Sequence, residues 1–130
     1  SKWIQLEPKS TEPYVKRINI YKKQEKWNLA IADYSKFIEL YPDNFINYMA
    51  RADLYQKQKN WDLALADYNK IIQINPKYAK AYANRGIVMF KKGNKKKAIL
   101  DLQKAAQLLK SQKNTAHYEE VINKIQELQK

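Results

Sequence analysis

At 130 residues, with 45% apolar and 29% charged side chains, the chain has the size and composition of one globular domain rather than a disordered segment. Cys is absent, which excludes disulfides, thiolate metal sites and cysteine nucleophiles. No apolar run approaches the roughly 20 residues of a membrane-spanning helix and no signal-peptide pattern opens the chain, so a soluble, cytoplasmic protein is expected. The formal charge of +12, from 25 basic against 13 acidic residues, would draw nucleic acid, anionic membrane or acidic protein, and its distribution has to separate them.

With only two Gly and four Pro, intrinsic propensity favours helix nearly throughout. One stretch orders the rest. Residues 60–76, Asn-Trp-Asp-Leu-Ala-Leu-Ala-Asp-Tyr-Asn-Lys-Ile-Ile-Gln-Ile-Asn-Pro, recur 34 positions earlier, where Trp27, Ala30, Asp33, Tyr34 and Pro42 match Trp61, Ala64, Asp67, Tyr68 and Pro76. They recur again 34 positions later, where Ala98, Asp101 and Leu102 stay in register. A period of this length marks stacked supersecondary units.

Residues 1–10 look irregular until the period is applied, when Trp3, Ile4, Leu6 and Pro8 fall 34 before Phe37, Ile38, Leu40 and Pro42. They read as the end of a preceding unit's second helix, and the chain as a piece of a longer array. From Thr11, a possible cap, and Pro13, whose missing N–H costs nothing in a first turn, Tyr14, Ile18 and Tyr21 recur at helical spacing. A turn over 24–26 leads to a second helix over 27–40, stopped by Pro42. Asp43 or Asn44 then caps a helix from Phe45 to about Gln58, with the stripe Phe45, Tyr48, Ala52 and Tyr55. Asn60 is the candidate N-cap for 61–74, and Pro76 ends that helix. A third pair spans 79 to about 92 and 95 to about 109, with Gly93 suited to the left-handed C-cap between them. The last segment, 114–129, gathers Tyr118, Val121, Ile122, Ile125 and Leu128 on one face, as a helix closing a stack's final apolar surface does.

Tyr48, Ala52 and Tyr55, matched by Tyr82, Gly86 and Met89, form an aromatic, small, bulky series in the first helices. Ala30 with Tyr34, Ala64 with Tyr68 and Ala98 with Leu102 repeat in the second helices, and Pro8, Pro42 and Pro76 close the units. On these residues the chain resembles the tetratricopeptide repeat family over essentially its whole length. The resemblance implies an all-α, right-handed α-α superhelix of stacked helix-turn-helix repeats. Its units would be a remnant at 1–10, repeats at 11–44, 45–78 and 79–112, and a C-terminal capping helix at 113–130.

Arg17, Arg51 and Arg85, the only arginines, stand where the family usually has Leu, and Asp33, Asp67 and Asp101 repeat with the same period. With the hairpin turn centred near Lys59, Arg51 and Asp67 lie opposite each other, which predicts three bidentate Arg–Asp pairs within repeats rather than an arginine ladder for phosphate.

Nothing supports catalysis. His117 is the only His and lies near Glu119 and Glu120 without a nucleophile motif, phosphate loop or metal-ligand cluster, so neither enzyme activity nor a cofactor or metal is expected. The ten Tyr could suggest base stacking, but most occupy the repeat-defining core positions.

In the family the first helices line the concave side. Carried over, that places on a peptide groove Val15, Asn19 and Lys22 of the first repeat; Ile46, Met49, Asp53 and Gln56 of the second; and Lys80, Ala83, Ile87 and Phe90 of the third. Met49, Ile87 and Phe90 would be the apolar anchors and Lys22 and Lys80 the charges. The family's clamp for chaperone C-terminal carboxylates uses five polar ligands, of which Asn19 and Lys80 match while Val15, Ala50 and Asn84 do not. Chaperone-tail binding is therefore not expected.

Lysines cluster at the hairpin turns: Lys22, Lys23 and Lys26; Lys57 and Lys59; then Lys91, Lys92, Lys95, Lys96 and Lys97. Stacking would align them as a basic rim. The function expected is that of a non-catalytic scaffold for protein–protein interaction, binding a peptide or protein of acidic and apolar character in the groove, with assembly of a larger complex as the expected setting. The rim binding RNA or anionic membrane, with nucleic acid disfavoured by the few arginines, and self-association through the uncapped N-terminal end are the alternatives.

Overall fold

The computed structural model describes residues 12–130, so the expected remnant at 1–10 and the Thr11 cap lie outside the described residues. Among the described residues there are seven helices and no strand. They are α1 (Glu12–Lys23), α2 (Trp27–Leu40), α3 (Phe45–Lys57), α4 (Trp61–Ile74), α5 (Ala79–Lys91), α6 (Lys95–Ser111) and α7 (Thr115–Gln129). The element order and packing are those of an all-α superhelix of helical hairpins, each helix lying against its sequence neighbours.

The turns explain why the hairpins close as they do. After α1, α3, α5 and α6 one residue adopts a left-handed conformation, Glu25 (φ 58°), Lys59 (φ 59°), Gly93 (φ 96°) and Lys113 (φ 58°). The next amide in each case reaches back five residues, as in Lys26 N to Tyr21 O (2.8 Å), Asn60 N to Tyr55 O (2.8 Å) and Asn94 N to Met89 O (2.8 Å). This is the Schellman termination, which satisfies end carbonyls and reverses the chain within three residues. The helix starts are less uniform. Asn44, Asn94 and Asn114 accept amide bonds from Ile46, Lys97 and His117 (3.2, 3.2 and 3.3 Å), whereas Asn60 occupies the N-cap position of α4 without making such a bond.

The core is a seam shared between consecutive units. Leu54 of α3 joins the cluster of Ile18, Ala30, Ile31 and Phe37, while Ala81 and Val88 of α5 join that of Met49, Tyr68 and Ile71. Val121, Ile125 and Leu128 of α7 join Ala98, Leu102 and Leu109. Each hairpin's open apolar face is thus covered by the following helix, and α7 covers the last. Close crossing depends on small residues: Ala30, Ala64 and Ala98 are fully buried, and a Cβ on Gly86 would lie 2.9 Å from the Ala98 carbonyl oxygen.

Arginines bolt the hairpins. Arg17 Nε and Nη2 donate to Asp33 at 2.9 and 2.6 Å, Arg51 to Asp67 at 2.9 and 2.6 Å, and Arg85 to Asp101 at 2.9 and 2.8 Å. Hydrogen bonding to its aspartate raises each guanidinium above its ordinary pKa. Burial pushes the Asp67 carboxyl up, against the pull of Arg51.

Candidate functional site

The first helices bring part of the expected groove together. Val15, Asn19 and Lys22 on α1, Ile46 and Asp53 on α3, and Lys80 on α5 are exposed, and Gln56, Ala83 and Ile87 are half-buried. Ile46 is 57% and Phe90 41% exposed, so both are available to a partner. Met49 is different. At 8% exposure it packs into the core cluster of the middle repeat with Tyr48, Ala52 and Tyr68, because the next hairpin closes over its flank, and it offers no anchor.

Asp53 is the acidic centre of this surface. Tyr68 Oη lies 3.5 Å from its Oδ1 and accepts a 2.6 Å bond from Gln56 Nε2, while Lys91 Nζ sits 3.4 Å from Gln56 Oε1. Desolvation raises the Asp53 pKa, opposed by the charges of Lys80, Lys22 and Lys57 and the Tyr68 bond. Burial and the Asp53 charge raise both Tyr34 and Tyr68, the latter strongly.

A cavity of about 470 Å³ lies at the C-terminal end of the groove, between α5, α6 and α7. From α5 come Lys80, Ala83, Asn84 and Ile87, and Leu102 and Leu109 of α6 form apolar walls. Gln112 and Asn114 border it from the turn, and α7 supplies His117, Glu120, Val121 and Lys124. The cavity therefore collects Lys80, Ala83 and Ile87 of the sequence-derived set, and leaves Val15, Asn19, Lys22, Ile46, Met49, Asp53, Gln56 and Phe90 outside its walls. Reading the groove from three repeats alone missed the α7 wall. The signal was present, since Asn114, His117, Val121 and Lys124 stand 34 residues after Lys80, Ala83, Ile87 and Phe90. His117 Nδ1 lies 2.9 Å from Asn114 Oδ1, a contact within the helix cap. Among the described residues no group of three His, Cys or carboxylate side chains could hold a metal ion.

The rim lysines are all exposed, but three have structural contacts. Lys57 Nζ lies 5.5 Å from the Trp27 ring centroid and Lys91 Nζ 5.4 Å from that of Trp61, the same contact one period apart. Lys92 pairs with Asp62, where Gln58 bonds Asn28 in the preceding unit (2.6 Å). Lys22, Lys23, Lys26, Lys59, Lys95, Lys96 and Lys97 face solvent. No described helix is long and apolar enough to cross a membrane.

Family models described as tetratricopeptide repeat and TPR repeat match residues 14–44 and 52–93. No curated protein matched. Among solved structures, the first TPR domain of Spaghetti (RPAP3), bound to the HSP90 peptide SRMEEVD, is 26% identical with a TM-score of 0.76, covering 93% of this chain and 91% of that one. The TPR domain of Arabidopsis OM64 is 27% identical with a TM-score of 0.69, covering 89% and 96%. The TPR2B domain of yeast Sti1, in complex with an Hsp70 peptide, shares the fold at 21% identity with a TM-score of 0.80, covering 92% and 95%.

Proposed function

The chain belongs to the tetratricopeptide repeat family, and on that premise we propose that it is a non-catalytic scaffold that binds a peptide or protein segment of acidic and apolar character along the first-helix groove. The observation that carries this reading is the cavity at the groove's end, whose walls are largely apolar and whose lip carries the two ammonium groups of Lys80 and Lys124 against one carboxylate, Glu120. Lys80 makes no ion pair among the described residues, and Lys124 has only the loose Glu127 contact at 3.8 Å. An apolar recess edged by net positive charge is what a partner segment with one anchor and a few acidic groups needs. The Spaghetti domain's peptide, SRMEEVD, supports the class of ligand, being itself short and acidic. Val15, Ala50 and Asn84 at the clamp positions argue that the partner here is not a chaperone tail, because a terminal carboxylate would keep only Asn19 and Lys80. A role in assembling a larger complex follows naturally from such a scaffold.

The test is selection from a random-peptide display library on the wild-type protein, with the winners remeasured on Ile46→Glu/Asp53→Arg. Those changes reverse the groove's middle and alter none of the residues that line the cavity. Wild-type winners that bind this variant at least 10-fold more weakly support the groove. Equal affinity for both proteins, or no winners at all, refutes it.

A further inference from the structure

The cavity lies between the last repeat and α7, and the chain's own periodicity shows how it differs from the repeat before. Shifted back 34 residues, its lining positions Ala79, Ala83, Leu102 and Gln112 become Phe45, Met49, Tyr68 and Tyr78. In the middle repeat that space is full. Phe45 and Tyr78 pack ring against ring with centroids 4.8 Å apart, Met49 is buried and Tyr68 is fully buried. In the last repeat each of the four is replaced by a smaller side chain while the backbone frame is retained. Ala79 and Leu102 are still buried and α7 still covers the hairpin, as α5 covers the one before. The cavity of about 470 Å³ opens beside these four positions, where one repeat earlier the chain places an aromatic and thioether cluster of its own.

Resting on the groove reading above, we infer that this cavity is a side-chain subsite: one bulky apolar residue of the bound segment, aromatic or methionine-like, takes the place of the missing cluster, and an adjacent acidic residue is held by Lys80 and Lys124. The chemistry follows from the walls. Ala83, Ile87, Leu102, Leu109 and Val121 can only reward apolar area, so a polar side chain there would lose its water without compensation. At the lip, Lys80 on α5 and Lys124 on α7 set two ammonium groups against the single carboxylate of Glu120, and Asn84 adds an amide that can bond a segment's backbone. The cavity also falls within the ~300–1,000 Å³ typical of sites that enclose a small ligand.

The experiment fills the cavity from inside with the residues the middle repeat uses. Peptides selected on the wild-type protein are remeasured by fluorescence anisotropy on Ala83→Met, on Ala79→Phe/Gln112→Tyr and on Lys80→Glu/Lys124→Glu. The expected result is a consensus of a bulky apolar residue beside an acidic one, with affinity lowered at least 10-fold by each variant while the melting temperature of the filled variants is maintained. If a filled variant fails to fold, Ile87→Ala supplies the converse measurement, since enlarging the cavity should move the selected residue toward larger rings. Winners that bind Ala83→Met as tightly as wild type, or an Ile87→Ala selection that leaves the preferred residue unchanged, overturn the subsite. If Ile46→Glu/Asp53→Arg still weakens them, the groove reading stands without it. A consensus lacking the acidic residue, or indifference to the lysine reversal, overturns the acidic half of the inference.

Discussion

Arg51 grips Asp67 with two hydrogen bonds and turns its third nitrogen, Nη1, to Ser35 Oγ of the preceding unit at 3.0 Å, so one guanidinium ties α2, α3 and α4 together. Arg85 repeats the arrangement on Asp101 and Asn69, the latter at 3.0 Å. The Asp67 side chain is 4% and that of Arg51 19% exposed, so removing the carboxylate strands a charge with little water to receive it. Asp67→Ala is expected to lower stability by about 3–5 kcal/mol in urea unfolding. Arg17 is 49% exposed, so Asp33→Ala should cost only about 1–2 kcal/mol. Equal losses at the two sites would mean that burial does not set the strength of these bolts.

The Arg–Asp relation could be read from the sequence because it lies within one hairpin, where helix length and turn position fix which residues face each other. The helices were legible for the same reason, since Pro42, Pro76 and Gly93 punctuate them. What crosses between units was not. The bond from Arg51 to Ser35 and the burial of Met49 depend on how one hairpin sits on the next, whereas the α7 wall stood in the 34-residue register. That seating is made by several residues packing together across units, such as Leu54 against Ile18 and Phe37 and Val88 against Met49 and Ile71, and no single residue announces it. The cavity was harder still, because it shows only when smaller residues at four positions of the last repeat are set against the α7 wall.

Left-handed turn residues give a second prediction. Lys59 holds φ at 59°, a conformation in which its Cβ crowds the following carbonyl, while Gly93 meets the same demand at φ 96° with open space around it. Lys59→Gly should raise stability by up to about 1 kcal/mol, and Gly93→Ala should lower it by about 1 kcal/mol. Thermal unfolding of the two variants checks this, and a shift of the same sign in both would contradict the strain argument.

Tyr68 makes stability depend on alkaline pH. Its folded-state pKa is raised by burial and by the Asp53 charge, above an unfolded value near 10. Above pH ~10 the unfolded chain releases this proton while the folded chain keeps it, so the stabilisation present below that pH is lost as pH rises toward the folded value. The slope from one such group reaches about 1.4 kcal/mol per pH unit. Between pH 10 and 11 the urea midpoint of the wild type should therefore fall more steeply than that of Tyr68→Phe, which keeps the ring and loses the titrating hydroxyl. Parallel slopes would remove Tyr68 from the alkaline transition.

Gly86 sets the closest approach between α5 and α6. A Cβ placed there would meet the Ala98 carbonyl oxygen at 2.9 Å, the Asp101 Cβ at 3.1 Å and the Leu102 Cγ at 3.3 Å. The first of these is backbone and cannot swing away, so an added methyl must push the helices apart. Gly86→Ala gains about 1 kcal/mol of helix propensity, which by itself would stabilise α5. Overpacking a close crossing typically costs about 1–3 kcal/mol, and at this site the displacement would also strain the Arg85–Asp101 bonds that span the same two helices. Strain is therefore expected to win, giving a net loss of about 1–2 kcal/mol by urea unfolding. Because Leu102 also walls the cavity, the same variant should weaken binding of selected peptides even where the fold is retained. A variant as stable as wild type would show that the crossing has slack, and that the hairpin's geometry is set by its arginine bolt rather than by this glycine.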